Sequence, residues 1–270
     1  MKAAGCSPRQ CYTAARLPQP FFRDARMNWV NGKVAIARAI HLDLTHPQVI
    51  YGRTLQRYVY RGVRWLDVGC GYQILPTWAM PEEAQRELVS NVRMLAGIDV
   101  DERIKDHPLL TCRVEGLGGA LPFRDQSFDL ITANMVVEHI EQPEKFLADI
   151  GRVLRPSGRF IFHTPNILFW LMFLAYITPE RIKKPIIWRL EERRAEDVFP
   201  TRYTLNTPWK IQRLAPRAGF DVEQIVMTGS SCIFDRLGPI GWLECFVQKG
   251  MSTFLGGRLN SNIIAVLRKG

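Results

Sequence analysis

The first chemical signal in this sequence is a glycine-containing turn that is followed, at the end of the next β-rich run, by a carboxylate. The turn residues are Asp67, Gly69, Cys70 and Gly71. Glycines let the backbone turn tightly and approach a ligand without a Cβ in the way. The carboxylate of Asp99 could accept hydrogen bonds from both hydroxyls of a ribose. The pattern predicts a site for a nucleotide-containing cofactor, and the simpler alternative is a tight turn beside a solvated acid.

Side chains that could move a proton follow the fourth and fifth predicted strands. Glu138 and His139 come after the fourth strand, and His163 ends the fifth. Histidine and carboxylate side chains are frequent general acids and bases, and a hydroxyl nucleophile can need a base to remove its proton. Tyr203 could orient a substrate. The alternative is that His139 sits at a helix start, where it only packs and satisfies backbone groups.

Strands and helices alternate between residues 63 and 163. Strands are predicted at 63–68, 94–100, 109–114, 128–133 and 159–163, helices at 81–92 and 143–154, and a turn at 156–158. This alternation predicts a parallel sheet with helices on both faces. Ligands of such sheets bind at the carboxyl ends of the strands, where the candidate site residues lie.

The rest of the chain is expected to complete a single domain. In order, the predicted parts are a disordered arm at 1–26, N-terminal helices at 27–60, the core at 61–166, an insertion over the site at 167–215 and the final strands at 216–270. Two β-rich runs, 220–227 and 262–267, would form an antiparallel pair. The predicted fold class is therefore α/β: a Rossmann-like, seven-stranded, mostly parallel sheet with helices on both faces and a helical insertion over the site.

The charge balance indicates an affinity for anions. The 270 residues include 36 basic and 26 acidic side chains, which gives a formal net charge of +10. Such a surface attracts nucleic acid, acidic lipid headgroups, or phosphorylated and carboxylated small molecules. Because the sequence has no dense Lys/Arg run and no basic strip interleaved with aromatic residues, it argues against nucleic acid as the partner.

The cysteines predict neither a metal site nor a disulfide framework. They are Cys6, Cys11, Cys70, Cys112, Cys232 and Cys245, and none forms a CxxC pair or lies at metal-binding distance in sequence from a histidine. Scattered thiols of this kind are typical of reduced cytosolic proteins. We therefore expect a cytoplasmic protein that holds no metal.

An apolar run inside the insertion raises the question of a membrane. Residues 167–177 are apolar, but this run is much shorter than the roughly 20 residues that cross a bilayer. Residues 167–194 combine aromatic and basic side chains, which suit an anionic or amphipathic acceptor, or peripheral contact with the inner face of a membrane. The alternative is a buried lid helix followed by a solvated basic helix.

The block from Trp65 to Asn166 resembles the class I S-adenosylmethionine (SAM) dependent methyltransferases of the ubiquinone/menaquinone-biosynthesis-like group, known as methyltransferase type 11. Seven pieces occur in the family's order: 66–71, 97–100, 121–123, 127–130, 137–139, 152–158 and 164–166. The resemblance implies SAM as the cofactor. It also implies a small-molecule acceptor, which we expect to be methylated on a hydroxyl of a sugar, a lipid-linked molecule or a secondary metabolite.

The resemblance also implies roles for individual residues. Asp67 with the backbone of Gly69, Cys70 and Gly71 would hold the methionine end of SAM, Asp99 the ribose, Val100 and Gly118 the adenine, and Asn134 the methionine moiety or the sulfonium. Two positions depart from the family pattern. Gln73 stands where a third glycine is frequent, and Leu117 stands where an adenine-binding Asp is usual, so the adenine side is atypical.

Two other functions fit parts of the pattern. A dinucleotide-dependent oxidoreductase would prefer a fuller G-x-G-x-x-G, but its last glycine is replaced here by Ile74. A non-catalytic SAM-fold binding module would tolerate the missing adenine acid. Some quinone-pathway relatives use an extra carboxylate with the Glu-His pair to hold a divalent metal, but that position is Met135, so we predict no metal.

Overall fold

The structure is a computed structural model, and it describes residues 43, 45–116, 121–170, 172–173, 178, 200–229, 246–247, 249–250, 253 and 257–270. Several sequence predictions therefore lie outside the described residues. These are the arm at 1–26, the helices before residue 43, most of the basic part of 167–194, Leu117 and Gly118. The core from 61 to 166 is described except for residues 117–120.

Within the described residues, seven strands form one sheet in the order β3-β2-β1-β4-β5-β7-β6. The strands are β1 (Arg64–Val68), β2 (Met94–Asp99), β3 (Cys112–Glu115), β4 (Phe128–Asn134), β5 (Leu154–Pro165), β6 (Phe220–Thr228) and β7 (Asn262–Lys269). The first five strands pair in parallel, whereas β7 runs antiparallel to both β5 and β6. This confirms the predicted fold class and the antiparallel final pair.

Helices flank the sheet and begin where the sequence places proline or acidic residues. They are α1 (Pro47–Tyr58), α2 (Glu82–Val89), α3 (Pro143–Val153) and α4 (Pro208–Leu214), with short 3-10 helices at Glu102–Asp106, Val137–His139 and Pro216–Ala218. Proline is the first residue of α1, α3 and α4, where its missing N–H costs no hydrogen bond. The predicted helices at 81–92 and 143–154 are confirmed, with shorter ends.

The central strand β1 is buried on both faces, as expected for a parallel strand covered by helices. Leu66 and Val68 belong to one buried cluster, which includes Phe146 of α3. Trp65 points to the other face and belongs to a second cluster with Leu55 of α1. The two apolar layers therefore fix the carboxyl end of β1 from both sides.

The predicted turn at 156–158 occurs as an interruption inside β5 rather than before it. Phe128 pairs with Leu154, but Leu130 pairs with Arg159, so the intervening β5 residues loop out of the ladder. A Cβ on Gly158 would lie 2.9 Å from a backbone carbonyl oxygen of the same loop, so only glycine fits there. The interruption lies at the end of the sheet opposite the predicted site.

No helix directly follows the glycine turn, contrary to the expectation for this motif. The chain instead forms a long loop after Gly71, and α2 begins only at Glu82. The Gln85 side chain of α2 fixes the loop, because its amide donates hydrogen bonds to the carbonyl oxygens of Leu75 (2.9 Å) and Met80 (2.7 Å).

Gly97 of β2 provides the space that the glycine turn needs. A Cβ at this position would lie 2.6 Å from Cys70 Sγ and 2.5 Å from a methyl carbon of Leu110, distances that real Cβ atoms do not show. The absent side chain at Gly97 therefore allows the turn after β1 to pack directly against β2.

We predict that Gly97→Ala destabilises the protein by about 1–3 kcal/mol, the usual cost of adding a methyl group to a packed core. Urea unfolding followed by circular dichroism measures this change. Gly116→Ala is the matched control, since its Cβ would meet Ile98 at an ordinary 3.5 Å. The control should change stability by no more than about 0.5 kcal/mol. Equal effects of both substitutions would contradict the packing argument.

Candidate active site

Two adjoining cavities lie at the carboxyl ends of β1, β2 and β4. Their volumes are about 900 Å³ and about 230 Å³. Gly69, Gly71 and Met135 line both cavities, so the glycine turn separates them. Of the other predicted residues, the larger cavity is lined by Asp99, Val100 and His139, and the smaller by Asp67, Cys70 and Asn134. The structure thus brings most of the predicted cofactor residues together.

The two turn glycines adopt conformations that other residues rarely use. Gly69 has φ +68° and Gly71 has φ +53°. A Cβ on Gly69 would lie 2.2 Å from a methyl carbon of Val136. A Cβ on Gly71 would meet no atom within 4 Å, and Gly71 lines both cavities. Bare backbone at Gly71 therefore faces room for a ligand, which is what a bound SAM molecule requires.

The Asp99 carboxylate is held in place by two backbone N–H groups. Gly71 donates to Oδ2 at 2.7 Å, and Asp101 donates to Oδ1 at 2.8 Å. A carboxylate has about four lone-pair sites, so both oxygens keep capacity for a ligand. Because Asp99 lines the larger cavity, this geometry fits the predicted contact with two ribose hydroxyls.

Asp67 is buried at the carboxyl end of β1. Its Oδ1 accepts a hydrogen bond from the Thr132 hydroxyl at 2.5 Å, and that hydroxyl accepts one from Trp65 Nε1 at 2.7 Å. Burial raises the pKa of the Asp67 carboxyl to about 7; Thr132 opposes the rise, whereas the charge of Asp99 adds to it. The carboxyl group is thus poised to ionise when a cation, such as the ammonium group of a methionine moiety, approaches it.

Cys70 contributes its backbone rather than its thiol. The side chain is buried between the turn and β2, and burial raises the pKa of the thiol above its usual value. A neutral, buried thiol is a poor nucleophile. The residue therefore packs the turn against β2 while its backbone stays at the cavity wall.

His139 is the last residue of the 3-10 helix Val137–His139, which corrects the expectation of a helix start. The α-helix α3 begins only at Pro143, since the intervening residue Ile140 is extended. His139 Nδ1 lies 3.0 Å from the carbonyl oxygen of Pro200. A carbonyl oxygen can only accept, so Nδ1 carries the proton and Nε2 of the neutral ring keeps its lone pair.

Glu138 faces the protein interior rather than either cavity. Its Oε2 accepts a hydrogen bond from the Thr164 hydroxyl at 2.9 Å, and burial raises the pKa of its carboxyl. Its backbone carbonyl accepts hydrogen bonds from the N–H groups of Arg202 (2.7 Å) and Tyr203 (3.0 Å). Glu138 therefore anchors the segment that carries Pro200. Tyr203 contributes its backbone N–H to this anchor, and its backbone is in the left-handed region (φ 52°).

His163 also lies behind the cavity walls. Its Nδ1 is 2.9 Å from Asn134 Oδ1 and its Nε2 is 3.1 Å from Asn262 Oδ1. Burial lowers the pKa of the imidazole to about 4, so the ring is neutral near pH 7. Because His163 lines neither cavity, its geometry favours support of Asn134 over contact with an acceptor.

Other residues at the site carried no sequence signal. Gln48 of α1 lines the smaller cavity, and Pro200, Arg202 and Lys145 line the larger one. A single glutamine near the start of an amphipathic helix looks like any solvent-facing residue. Pro200 acts through its backbone, which no side-chain pattern reveals.

Neither a metal-binding cluster nor a membrane-spanning helix occurs in the described part of the chain. No group of three or more His, Cys, Asp and Glu side chains is arranged to hold a metal ion in those ranges. None of the helices within the described residues is long and apolar enough to span a membrane.

The core of the sequence is similar to known methyltransferases. Residues 66–162 match the family described as "Methyltransferase domain". The ubiquinone biosynthesis O-methyltransferase of Rhizobium leguminosarum bv. trifolii is 27% identical over 206 residues, which cover 65% of this chain and 75% of that protein. The demethylmenaquinone methyltransferase of Tropheryma whipplei (strain Twist) is 28% identical over 132 residues, which cover 44% of this chain and 55% of that protein. The chain thus spans about half the length of several relatives that it matches.

Solved structures agree on the fold. A SAM-dependent methyltransferase from Mesorhizobium loti has a TM-score of 0.51 at 15% identity, with 80% of this chain and 95% of that chain covered. A chain from the complex of the Haloferax volcanii Trm112 methyltransferase activator with a methyltransferase has a TM-score of 0.56 at 16% identity, with 89% and 95% covered. The family match implies that the cofactor is SAM.

We predict that Asp99→Ala weakens the binding of S-adenosylhomocysteine (SAH), the demethylated form of SAM, roughly ten- to a hundredfold. Hydrogen bonds to a charged group contribute about 1.5–3 kcal/mol, which corresponds to this range. Isothermal titration calorimetry gives the dissociation constant. Asp106→Ala is the control, because this exposed acid lies on the nearby 3-10 helix outside both cavities. An unchanged SAH affinity in the Asp99 variant would contradict the ribose assignment.

We also predict that SAH affinity depends on pH through Asp67. The pKa of Asp67 is about 7 in the free protein, and a cationic ammonium group binds the ionised form. Affinity should fall about tenfold for each pH unit below 7 and level off above about pH 8. Calorimetry in two buffers of different ionisation enthalpy should show proton release at pH 7. In Asp67→Asn the pH dependence should disappear, and a flat profile for the unmodified protein would refute the prediction.

Proposed function

We propose that the protein transfers the methyl group of SAM to a hydroxyl of a small-molecule acceptor, because residues 66–162 match the family described as "Methyltransferase domain". The sequence favoured hydroxyls of sugars, lipid-linked molecules or secondary metabolites. The name of one relative, a ubiquinone biosynthesis O-methyltransferase, instead supports an oxygen atom of a quinone-type molecule as the acceptor. We therefore take phenolic hydroxyls as the first acceptors to test.

The arrangement of His139 is the observation that carries this proposal. Its ring lines the same cavity as Asp99 and Gly71, the residues that fit the cofactor. The hydrogen bond to Pro200 fixes the proton on Nδ1, and we assign the basic nitrogen Nε2 to the proton of an acceptor hydroxyl. The site thus combines a cofactor wall with a general base.

The chain supplies position and proton transfer, while SAM supplies a methyl group already activated by its sulfonium. Nucleophile and methyl group must be aligned for an in-line displacement, and holding them together accounts for much of the rate. As Nε2 takes up the hydroxyl proton, the positive charge of the imidazolium is stabilised by the Nδ1–H bond to Pro200.

The base is held rigidly because its partner segment is tied to the core. Arg202 donates its backbone N–H to the carbonyl of Glu138, the residue directly before the base. The Glu138 carboxyl accepts a hydrogen bond from the Thr164 hydroxyl. This hydroxyl in turn accepts a hydrogen bond from Asn206 Nδ2 at 2.6 Å. This network fixes the distance between His139 and the Pro200 carbonyl. It is the function that we assign to Glu138 in place of direct catalysis.

The local geometry argues against a dinucleotide-dependent oxidoreductase. Pyrophosphate is normally bound at the N-terminus of a helix that directly follows the glycine turn. Here Gly71 is followed by a loop, and α2 begins only at Glu82. The first turn of α2 carries Glu82 and Glu83, which repel phosphate. Ile74 is buried in the core at the position of the missing glycine.

The anionic or amphipathic character of the acceptor is a further part of the proposal. Lys145 and Arg202 both line the larger cavity beside His139, and each could pair with an acceptor carboxylate or phosphate. The proposed peripheral membrane contact and cytoplasmic location rest on the sequence pattern of residues 167–194 and on the cysteines.

We predict that His139→Asn lowers kcat for a phenolic acceptor at least a hundredfold at pH 7. The asparagine amide can still donate to Pro200, but it cannot take up a proton, and general-base catalysis typically contributes 10²–10⁴-fold. The deficit should shrink as the pH approaches the pKa of a phenol, about 10, because the acceptor then ionises unaided. Mass spectrometry of the methylated product across pH 6–10 measures this, with catechol and simple phenols as probes.

The control for this substitution is cofactor affinity, which should stay within about twofold because His139 is not assigned to SAM binding. An unchanged kcat in His139→Asn would remove the general base from the mechanism. If the unmodified protein binds SAH but methylates neither phenols nor sugars, the non-catalytic binding module becomes the better description.

A further inference from the structure

A third cavity lies at the end of the sheet opposite the candidate active site. Its volume is about 570 Å³, and it is lined by residues at or just before the amino ends of β1, β2, β3 and β4. None of them lines either cavity at the carboxyl ends of the strands. The lining residues are Arg64, Arg93, Met94, Thr111, Cys112, Arg124, Asp125, Gln126 and Ser127.

Three arginine side chains give this cavity its charge. Arg64 begins β1, Arg93 directly precedes β2, and Arg124 lies in the loop before β4. Among the described residues, none of these three guanidinium groups has a hydrogen-bond or ion-pair partner. Positive charges gathered around one cavity repel one another, so an anion bound between them would remove an unfavourable interaction.

The nearby carboxylates are paired with other arginines. Asp125 is the one acid among the lining residues, and its Oδ1 accepts a hydrogen bond from Arg152 Nη1 at 2.9 Å. Asp129 in β4 accepts one from Arg155 Nη1 at 3.1 Å and another from the backbone N–H of Arg64 at 2.9 Å. Since neither acid pairs with a guanidinium group of the cavity, the cavity keeps an excess of positive charge.

The backbone fixes the positions from which the three arginines extend. Besides the bond from the Arg64 N–H, the Arg93 N–H donates to the carbonyl oxygen of Val63 at 2.9 Å. The carbonyl oxygen of Arg124 accepts a hydrogen bond from the Ser127 hydroxyl at 2.7 Å. Because these positions are set before a ligand arrives, binding has to order only the arginine side chains.

The lining residues favour a phosphate group on a small molecule. Guanidinium groups present pairs of donors that match the oxygens of phosphate. Single-stranded nucleic acid is bound by stacking its bases on aromatic side chains, and no aromatic residue lines this cavity. A membrane surface is bound through exposed apolar side chains, whereas Met94, the largest apolar lining residue, packs against the core.

We propose that Arg64, Arg93 and Arg124 form a binding site for the phosphate group of a small soluble molecule. The site is separate from the candidate active site, and the inference does not depend on the proposed methyl transfer. The three arginines are spread over residues 64–124, so no basic run in the sequence marks them. Only the meeting of the amino ends of parallel strands at one edge of the sheet brings them together.

The test measures the binding of inorganic pyrophosphate by isothermal titration calorimetry at low ionic strength, where exposed charges are least screened. The unmodified protein should bind it. Arg93→Gln and Arg124→Gln, at two exposed positions, should each weaken binding about tenfold, the effect of losing a hydrogen bond to a charged group. Arg93→Lys keeps the charge but not the planar pair of donors, so its affinity should lie between those of the unmodified protein and Arg93→Gln.

Two arginines outside the cavity serve as matched controls. Arg213 of α4 and Arg217 of the following 3-10 helix are exposed and line none of the three cavities. Arg213→Gln and Arg217→Gln remove the same charge and should leave pyrophosphate affinity within about twofold. Equal weakening by all four glutamine substitutions would show an effect of net charge alone and overturn the inference, as would a protein that does not bind pyrophosphate.

The location and the class of ligand have their own tests. A saturating concentration of SAH should leave pyrophosphate affinity unchanged, because the cofactor residues lie at the other end of the sheet. Competition with SAH, or a loss of affinity in Lys145→Gln instead of Arg93→Gln, would place the anion in the candidate active site and overturn the inference. Binding to phosphatidic acid vesicles or to duplex DNA that depends on Arg93 and Arg124, without binding of pyrophosphate, would also overturn it in favour of a membrane or nucleic acid.

Discussion

The close approach of the glycine turn to β2 is the constraint on which the site depends. Gly71 donates to the Asp99 carboxylate, and Gly69 donates to the carbonyl of Ile98 at 2.8 Å, so two hydrogen bonds join the ends of neighbouring parallel strands. The approach is possible only because Gly97 leaves room for the turn. The residues that fit the methionine end of the cofactor and the residue that fits its ribose thereby form one rigid unit. Shifting the turn by one ångström would change both ends of the site together.

The features that the sequence predicted well are those encoded within a few residues. Near-continuous apolar runs that end in glycine or aspartate mark buried parallel strands, and they located Asp67, Gly71 and Asp99 correctly at the cavity walls. Contacts between distant segments carried no such signal. Gln48 meets Asn134 across 86 residues, and His139 meets Pro200 across 61. Glu138 and His163 had suitable chemistry after the right strands, but local pattern cannot show that their side chains point inward.

Burial favours the neutral forms of Asp67 and His163 in the free protein. The pKa of Asp67 rises to about 7 and that of His163 falls to about 4, in both cases chiefly because the charged form loses water. Tyr51 links these two residues. Its ring centroid lies 5.6 Å from that of His163, and burial together with the charge of Asp67 raises the pKa of Tyr51. Near pH 7 the Asp67 carboxyl is therefore only partly ionised in the free protein, and a bound cation would complete its ionisation.

The partner of the base that we propose bears on the choice of acceptor. His139 is oriented by a neutral backbone carbonyl, whereas a carboxylate in that place would stabilise the imidazolium more strongly. A phenolic hydroxyl has a pKa of about 10. An aliphatic sugar hydroxyl resembles water, whose pKa is about 15.7, and is much harder to deprotonate. The proposed histidine base therefore favours a phenolic acceptor over a sugar hydroxyl.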